Sequence, residues 1–328
     1  MSVHLLHIFT KLDRMAGLLE PHTTAQEEAI LTEINYPRKQ LNQDIITLGE
    51  WLDDQEHLPP SKKQEDTKFL SAFLTGTKGS LQTAKRKIDN YYSLRSTSQI
   101  LEDRDPFGLS VKNTFGNFVV ATMPKPMPDG CRLSVIRLDA PDPEDYDFLG
   151  TVRRIVQVSE LRMRIDNGIS AGEYFCLDGR GYTASHLLKV NPSFVRETLT
   201  YIQEAVPARI KLFMFINCPQ FIEVAVNRLV KPFLKKKLAD RVVVTQDGAS
   251  FLQEKFPKEY LPKDYGGDLP DMETLSNNWQ KACEGKKDWY LNELSEKTIE
   301  EKRPKDSEIN SENPYFGVQG SLKQLVID

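Results

Sequence analysis

Cysteine is scarce in this chain: Cys131, Cys176, Cys218 and Cys283 are all there are, and no two form a C-x-x-C pair. Such scatter argues against a zinc site or a disulfide framework. Cys176 and Cys218 sit in apolar, strand-like runs, where a free thiol serves as a small hydrophobe. Reduced thiols suit a cytosolic protein. Long hydrophobic runs are missing as well, since nothing approaches the roughly 18 uninterrupted apolar residues of a spanning helix. The opening MSVHLLHIFTKLDRM is broken by Lys11, Asp13 and Arg14, so no secretory signal is expected. Nor does one sign of charge dominate. The 43 basic and 47 acidic residues leave a net charge of −4, which excludes a strongly basic nucleic-acid binder but not a local basic patch.

Catalytic signatures are equally thin. There is no G-x-x-x-x-G-K-[ST] and no G-x-S-x-G. Gly179-Arg180-Gly181 follows a predicted strand but has Ala184 where a third glycine would complete a dinucleotide loop, and we read it as a tight strand-to-helix turn. His186 adjoins Ser185, and neighbours in sequence on a helix cannot face one another as base and nucleophile. We read His186 as a hydrogen-bonded structural residue. Asp53-Asp54 and Glu300-Glu301 read as solvated faces. No catalytic residue, metal or cofactor is expected.

What is present is a chain with 39% hydrophobic residues over 328 positions, enough for a sizeable core shared by two or three modules. Residues 1–24 form a leader without periodicity. From 25 to 95 the pattern is helical: Leu41, Ile45, Leu48 and Leu52 recur at three- and four-residue steps. Pro59 and Pro60 close that helix, Ser61 starts the next, and Ser80 can cap a third. Residues 96–128 read as loop-rich. Strands are then predicted at 131–138, 173–177, 211–217 and 241–245, alternating with helices. That alternation implies an α/β sheet with right-handed crossovers. Residues 273–328 read as a C-terminal helix and tail. Within the tail, 296–314 is a charged, solvated linker, and Tyr315 to Asp328 is expected to dock back on the body.

One local asymmetry stands out. Between 209 and 241 lie Arg209, Lys211, Arg228, Lys231, Lys235, Lys236, Lys237 and Arg241, against Glu223 and Asp240 alone. The same stretch holds FIEVAVNRLV, which as a helix is apolar well beyond one stripe. Such a helix is either buried in a core or able to meet lipid, and pattern alone leaves both open.

Several stretches carry a family resemblance in a consistent order: LGEWLDDQEHLPPSKKQEDTKFLSAFLTGTKGSLQTAKRKIDNYYSLR, NPSFVRETLTYIQEAVPARIK, FINCP, LVKPFLKKKL and LPKDYGGD. Over residues 30–290 the chain resembles the CRAL-TRIO lipid-binding family, in its tocopherol-transfer and retinaldehyde-binding branch. The ending GSLKQLVID is similar to tails of arthropod members. The resemblance implies an N-terminal all-α module followed by an α/β domain, 96–272, with a mainly parallel sheet, an apolar pocket and a gate helix. By position the gate is Cys218 to Val230, with Phe221, Ile222, Val226 and Leu229 as its apolar contacts. The implied pocket lining is Val152, Ile155, Ser159, Leu177, Tyr182, Thr198, Ile202 and Phe213, with Ser159 and Tyr182 able to orient a ligand hydroxyl. Arg209, Lys211, Lys237 and Arg241 match a basic cleft that binds phosphoinositide headgroups. Two arginines of the family's FLLRFLR motif are replaced by Ala72 and Thr75. The resemblance thus implies a monomeric cytoplasmic carrier of one small lipophilic ligand, peripheral at membranes and with no enzymatic activity. The other readings are a lipid-responsive adaptor that docks a protein partner at a membrane, and an enzyme acting on a hydrophobic substrate.

Overall fold

The computed structural model describes residues 18–60, 67–139, 142–293 and 295–304. The expectations for the leader up to residue 17, for a helix start at Ser61 and for the tail beyond Pro304 lie outside those residues.

The N-terminal helices are α1 Thr24–Glu33, α2 Arg38–Asp53, α3 Thr67–Gly76 and α4 Leu81–Thr97. Local chemistry starts them. Thr23 and Gln26 form a reciprocal capping box at α1, and Ser80 Oγ accepts from the Thr83 N–H at 3.3 Å at α4. The predicted stripe Leu41, Leu48 and Leu52 is buried. Helix α2 ends at Asp53, before the two prolines.

The stretch expected to be loop-rich holds a short helix, α5 Leu109–Lys112, and a strand, β1 Phe118–Thr122. β1 is antiparallel to β2 Cys131–Leu138, pairing Phe118 with Leu138 and Thr122 with Ser134. Its signal was the β-branched run FVVAT after the Gly116-Asn117 turn. β3 Gly172–Asp178, β4 Ile210–Ile216 and β5 Val242–Val244 add parallel pairings, giving one five-stranded sheet in the order β1-β2-β3-β4-β5. Helices carry the crossovers between the parallel strands. Those helices are α6 Phe148–Ile165, α7 Ala184–Leu188, α8 Pro192–Thr200, α9 Gln220–Ala225 and α10 Lys236–Ala239. Two single π-turns interrupt them, Tyr201–Ala205 and Val226–Val230. Past β5 follow α11 Ala249–Lys255, α12 Met272–Glu284 and α13 Lys287–Glu293.

Buried charge joins the helical module to the sheet domain. Arg95 on α4 pairs with Glu293 on α13, Arg104 pairs with Glu160 on α6, and Tyr201 donates to Glu160 at 2.5 Å. Lys87 Nζ donates to the carbonyls of Gln203 and Val206, each at 2.7 Å, closing the end of the first π-turn. Ser71 and Thr75 donate to the Gly168 carbonyl at 3.0 and 3.1 Å, so Thr75, where the family motif has arginine, serves helix docking here. Gly76 permits the closest approach: a Cβ there would lie 2.0 Å from the Pro207 carbonyl oxygen.

One expectation is corrected. Residues 296–304 are largely exposed, as a solvated segment should be, but they are not a free linker. Arg303 reaches back to Asp89 on α4 with two 2.7 Å hydrogen bonds, and the Ile299 N–H donates to the His57 carbonyl at 2.9 Å. Composition marked the segment as polar, but a single well-placed arginine against a buried aspartate outweighs it.

Candidate functional site

Two hydrophobic clusters form in the described residues. The main core joins the helical module, β1, β2 and α6. A second one, built on Leu199, Phe215, Cys218, Ile222, Val226, Leu234 and Val242, holds the segment around α9 against the far end of the sheet. Beside that segment lies a cavity of about 130 Å³, walled by residues that include Tyr146, Phe148, Leu177, Tyr182, Val195, Phe215, Ile222, Val226 and Leu229. Its polar feature is a pair of phenols: the hydroxyls of Tyr146 and Tyr182 are 3.2 Å apart. Burial pushes the Tyr182 pKa up to about 12 and raises that of Tyr146, so both stay protonated. One hydroxyl donates to the other, which leaves one proton and spare lone pairs for a further partner.

Five of the residues read from sequence line this cavity: Leu177, Tyr182, Ile222, Val226 and Leu229. Phe221 is half-buried and packs on the second cluster. Val152 and Ile155 pack in the main core, and Phe213 packs on the second cluster. Ser159 is half-buried, Thr198 spends its hydroxyl on the Phe194 carbonyl at 2.7 Å, and Ile202 lines a different recess. Tyr146, Phe148, Leu187, Val190, Val195 and Phe215 were missed. Tyr146 comes from the irregular stretch before α6, where no periodicity exists to flag it.

The segment expected as the gate, Cys218 to Val230, has a distinct backbone form at each end. Asn217, at φ 51°, enters it in the left-handed region and donates from Nδ2 to the fully buried Asp178 at 2.8 Å. Asp178 also accepts from Arg180 Nη2 at 2.6 Å and Tyr265 at 2.9 Å, so the end of β3 anchors the gate base. At the far end the helix loosens into the π-turn 226–230, a form that recurs at functional sites. The Gln203 amide then brackets the exit, donating to the Phe233 carbonyl at 3.0 Å and accepting from the Lys235 N–H at 2.7 Å. The turn at Gly179 and Gly181 is the tight strand-to-helix turn expected, and His186 is buried with Nδ1 accepting from the Thr183 N–H at 3.0 Å.

The eight basic residues do not form one patch around the gate. Arg209, Lys211, Lys237 and Arg241 meet in a separate open cleft of about 440 Å³, joined by Lys235, another of the eight, and by Lys78, which sequence reasoning missed. Lys78 sits on the turn after Gly76 at φ 56°. Glu33, at the end of α1, enters the same cleft. Its Oε1 accepts from Arg209 Nη2 at 2.9 Å and from Lys211 Nζ at 3.0 Å. Partial burial works to raise the Glu33 pKa, but the two cations outweigh it and hold the carboxyl below its usual value. Gln203 lines this cleft too, so one side chain touches both the cleft and the gate exit. Among the described residues no helix is long and apolar enough to cross a membrane.

Residues 119–267 match the CRAL/TRIO domain family, and residues 38–110 match the Pinta-like, UBA domain family. The chain is 26% identical over 230 residues to a human protein named alpha-tocopherol transfer protein-like, covering 70% of this chain and 66% of that one. It is 25% identical over 196 residues to rat clavesin-2, covering 58% and 55%. The chain thus spans just under two thirds of the first relative and about half of the second. A solved structure described as the crystal structure of Sfh5 aligns at TM-score 0.41 and 12% identity, over 78% of this chain and 93% of that one, a likeness too low to bear on function. The CRAL/TRIO match lies over the sheet itself, residues 119–267, and a helical module followed by a mainly parallel sheet agrees with a CRAL/TRIO domain in that part of the chain.

Proposed function

We propose that this protein holds one small lipophilic molecule behind the gate segment and carries it between membranes, catalysing no reaction. The observation that carries this reading is the apolar cavity between sheet and gate, with the Tyr146–Tyr182 pair at its wall. Its volume of 130 Å³ is well below the roughly 300–1,000 Å³ of small-molecule sites. The cavity as it stands is too small for such a ligand, and on this reading the gate moves to admit one. The left-handed entry at Asn217, the π-turn 226–230 and the separateness of the segment's apolar cluster support that motion. The basic cleft docks the carrier on anionic, phosphoinositide-type headgroups. Leu188 at 88% exposure and Val224 at 42% offer apolar contact on α7 and α9. The protein works as a cytoplasmic monomer, peripheral at membranes.

Uptake and vesicle-to-vesicle transfer of fluorescent tocopherol and retinoid analogues test the reading. Binding at one-to-one stoichiometry is expected, with faster transfer to anionic than to neutral vesicles and slowing as salt rises, because exposed charges act over about 10 Å at 0.1 M. Lys237→Glu with Arg241→Glu removes the anionic advantage, and Phe221→Asp slows transfer even to neutral vesicles. Purified protein that yields no lipid on extraction and takes up no analogue overturns the reading.

A further inference from the structure

We propose that Glu33 is a built-in counter-ion of the basic cleft, which an incoming phosphate group has to displace, so that the cleft responds to headgroups of high charge and ignores weak anions. The inference rests on the reading of the cleft as an anion site given above.

Among the described residues lining the cleft, six are cations: Lys78, Arg209, Lys211, Lys235, Lys237 and Arg241. Glu33 is the only acid. It does not come from the strands and loops that supply most of those cations. It comes from the end of α1, 176 and 178 residues away in sequence from Arg209 and Lys211. A single oxygen of Glu33 holds both cations, while its side chain stays 48% exposed, open to water and to a competing anion. Arg209 is the more constrained partner. Its side chain is 10% exposed, and its Nη1 is buried without a hydrogen-bond partner. Lys235 is turned to Glu204 at 2.6 Å, and Arg241 donates to the Ile210 carbonyl. Lys78 and Lys237 make no ion pair among the described residues.

A carboxylate brings one charge and two oxygens. A phosphate monoester brings nearly two charges and three acceptor oxygens. Displacing Glu33 loses the same two bonds whatever the incoming anion is. The gain grows with each phosphate that also reaches Lys78, Lys237 or Arg241, and a cleft of 440 Å³ has room for more than one. A carboxylate or a singly charged phosphodiester headgroup therefore exchanges like for like, whereas a bisphosphate headgroup gains. Glu33 sets this threshold and is itself no anchor of the fold, since half-exposed ion pairs add little to stability.

The test compares wild type, Glu33→Gln and Glu254→Gln, the last an exposed acid away from the cleft that changes net charge equally. Binding is measured to phosphatidylcholine vesicles, to the same vesicles with phosphatidylserine or phosphatidylinositol bisphosphate, and to soluble inositol trisphosphate. Glu33→Gln is expected to bind bisphosphate vesicles about three- to ten-fold tighter than wild type and to acquire measurable phosphatidylserine binding. Glu254→Gln should stay close to wild type. The gain should vanish when Arg209→Ala and Lys211→Ala are combined with Glu33→Gln, because nothing is then left for Glu33 to mask. A gain for soluble trisphosphate without one for vesicles supports the counter-ion role and assigns the site to a free phosphate. Equal gains from Glu33→Gln and Glu254→Gln, or no gain from either while wild type binds bisphosphate vesicles, overturn the inference and leave the anion site standing. If no protein binds any anion above phosphatidylcholine alone, the anion site itself is overturned.

Discussion

The hydroxyls of Tyr146 and Tyr182 lie 3.2 Å apart on the wall of an otherwise apolar cavity. One sits just before α6 and the other just after β3, and their rings meet edge to face with centroids 5.8 Å apart. The pair is a ready hydrogen-bonding point for a ligand with one polar end. Tyr182→Phe should weaken a ligand bearing a hydroxyl or carbonyl by about 1–3 kcal/mol, roughly ten-fold or more, and leave a pure hydrocarbon unaffected. Ser159→Ala, away from this cavity, should change neither. Both phenols stay protonated through neutral pH, so affinity should be flat from about pH 6 to 9. Fluorescence titration of the two ligand types checks each point.

Gln203 spans the cleft and the gate exit. Gln203→Leu removes both hydrogen bonds that bracket Leu234 but keeps the apolar stem. Ligand exchange should speed up several-fold, while equilibrium affinity changes less, since a loosened hinge affects entry and exit alike. Stopped-flow release of a fluorescent ligand reads this directly, and an unchanged release rate rejects the hinge role.

Arg303 and Asp89 form a buried pair, with side chains 4% and 1% exposed. Arg303→Ala leaves the aspartate with His57 and Ser93 alone, and losing one partner of a buried pair costs about 3–5 kcal/mol. Burial works to raise the Asp89 pKa, but His57 and Arg303 prevail and it is lowered. A carboxylate with a depressed native pKa contributes stability above its unfolded value, near 3.8, and loses it as pH falls through the native one. Denaturant midpoints of wild type should therefore drop below about pH 4, and Arg303→Ala should show less of that drop.

Glu173 behaves in the opposite sense. Burial pushes its pKa up to about 7, against the pull of Arg162 at 2.7 Å. Between the unfolded value of 4.5 and this native one, the folded state holds a proton that the unfolded state has released. Stability from this group therefore falls as pH rises across that window, by roughly 3 kcal/mol in all. Glu173→Gln should flatten the profile between about pH 5 and 7, as measured by chemical denaturation.

The sequence by itself determined the class of fold and the order of its parts. Strands rich in β-branched and aromatic residues alternate with capped helices, and IKLFMFI is apolar on both faces, so a helix-covered parallel sheet follows from local periodicity. It also placed Leu177, Tyr182, Ile222, Val226 and Leu229 near one another, by resemblance to the family. It did not separate them from Val152 and Ile155, which are just as apolar, because periodicity reports that a side chain is buried and not which side chains surround it. β1 was hidden for a related reason: five residues between turns carry too short a pattern, and only pairing with β2 makes them a strand.

Tertiary structure alone decided the cleft. Arg209, Lys211, Lys237 and Arg241 could be named from the chain, but Glu33 and Lys78 could not, since both reach the site from the helical module. Their arrival depends on how that module seats on the sheet domain, through Gly76 against Pro207 and Ser71 and Thr75 against Gly168. Such contacts between segments far apart in sequence are set by the packing of whole helices, and no local pattern encodes them.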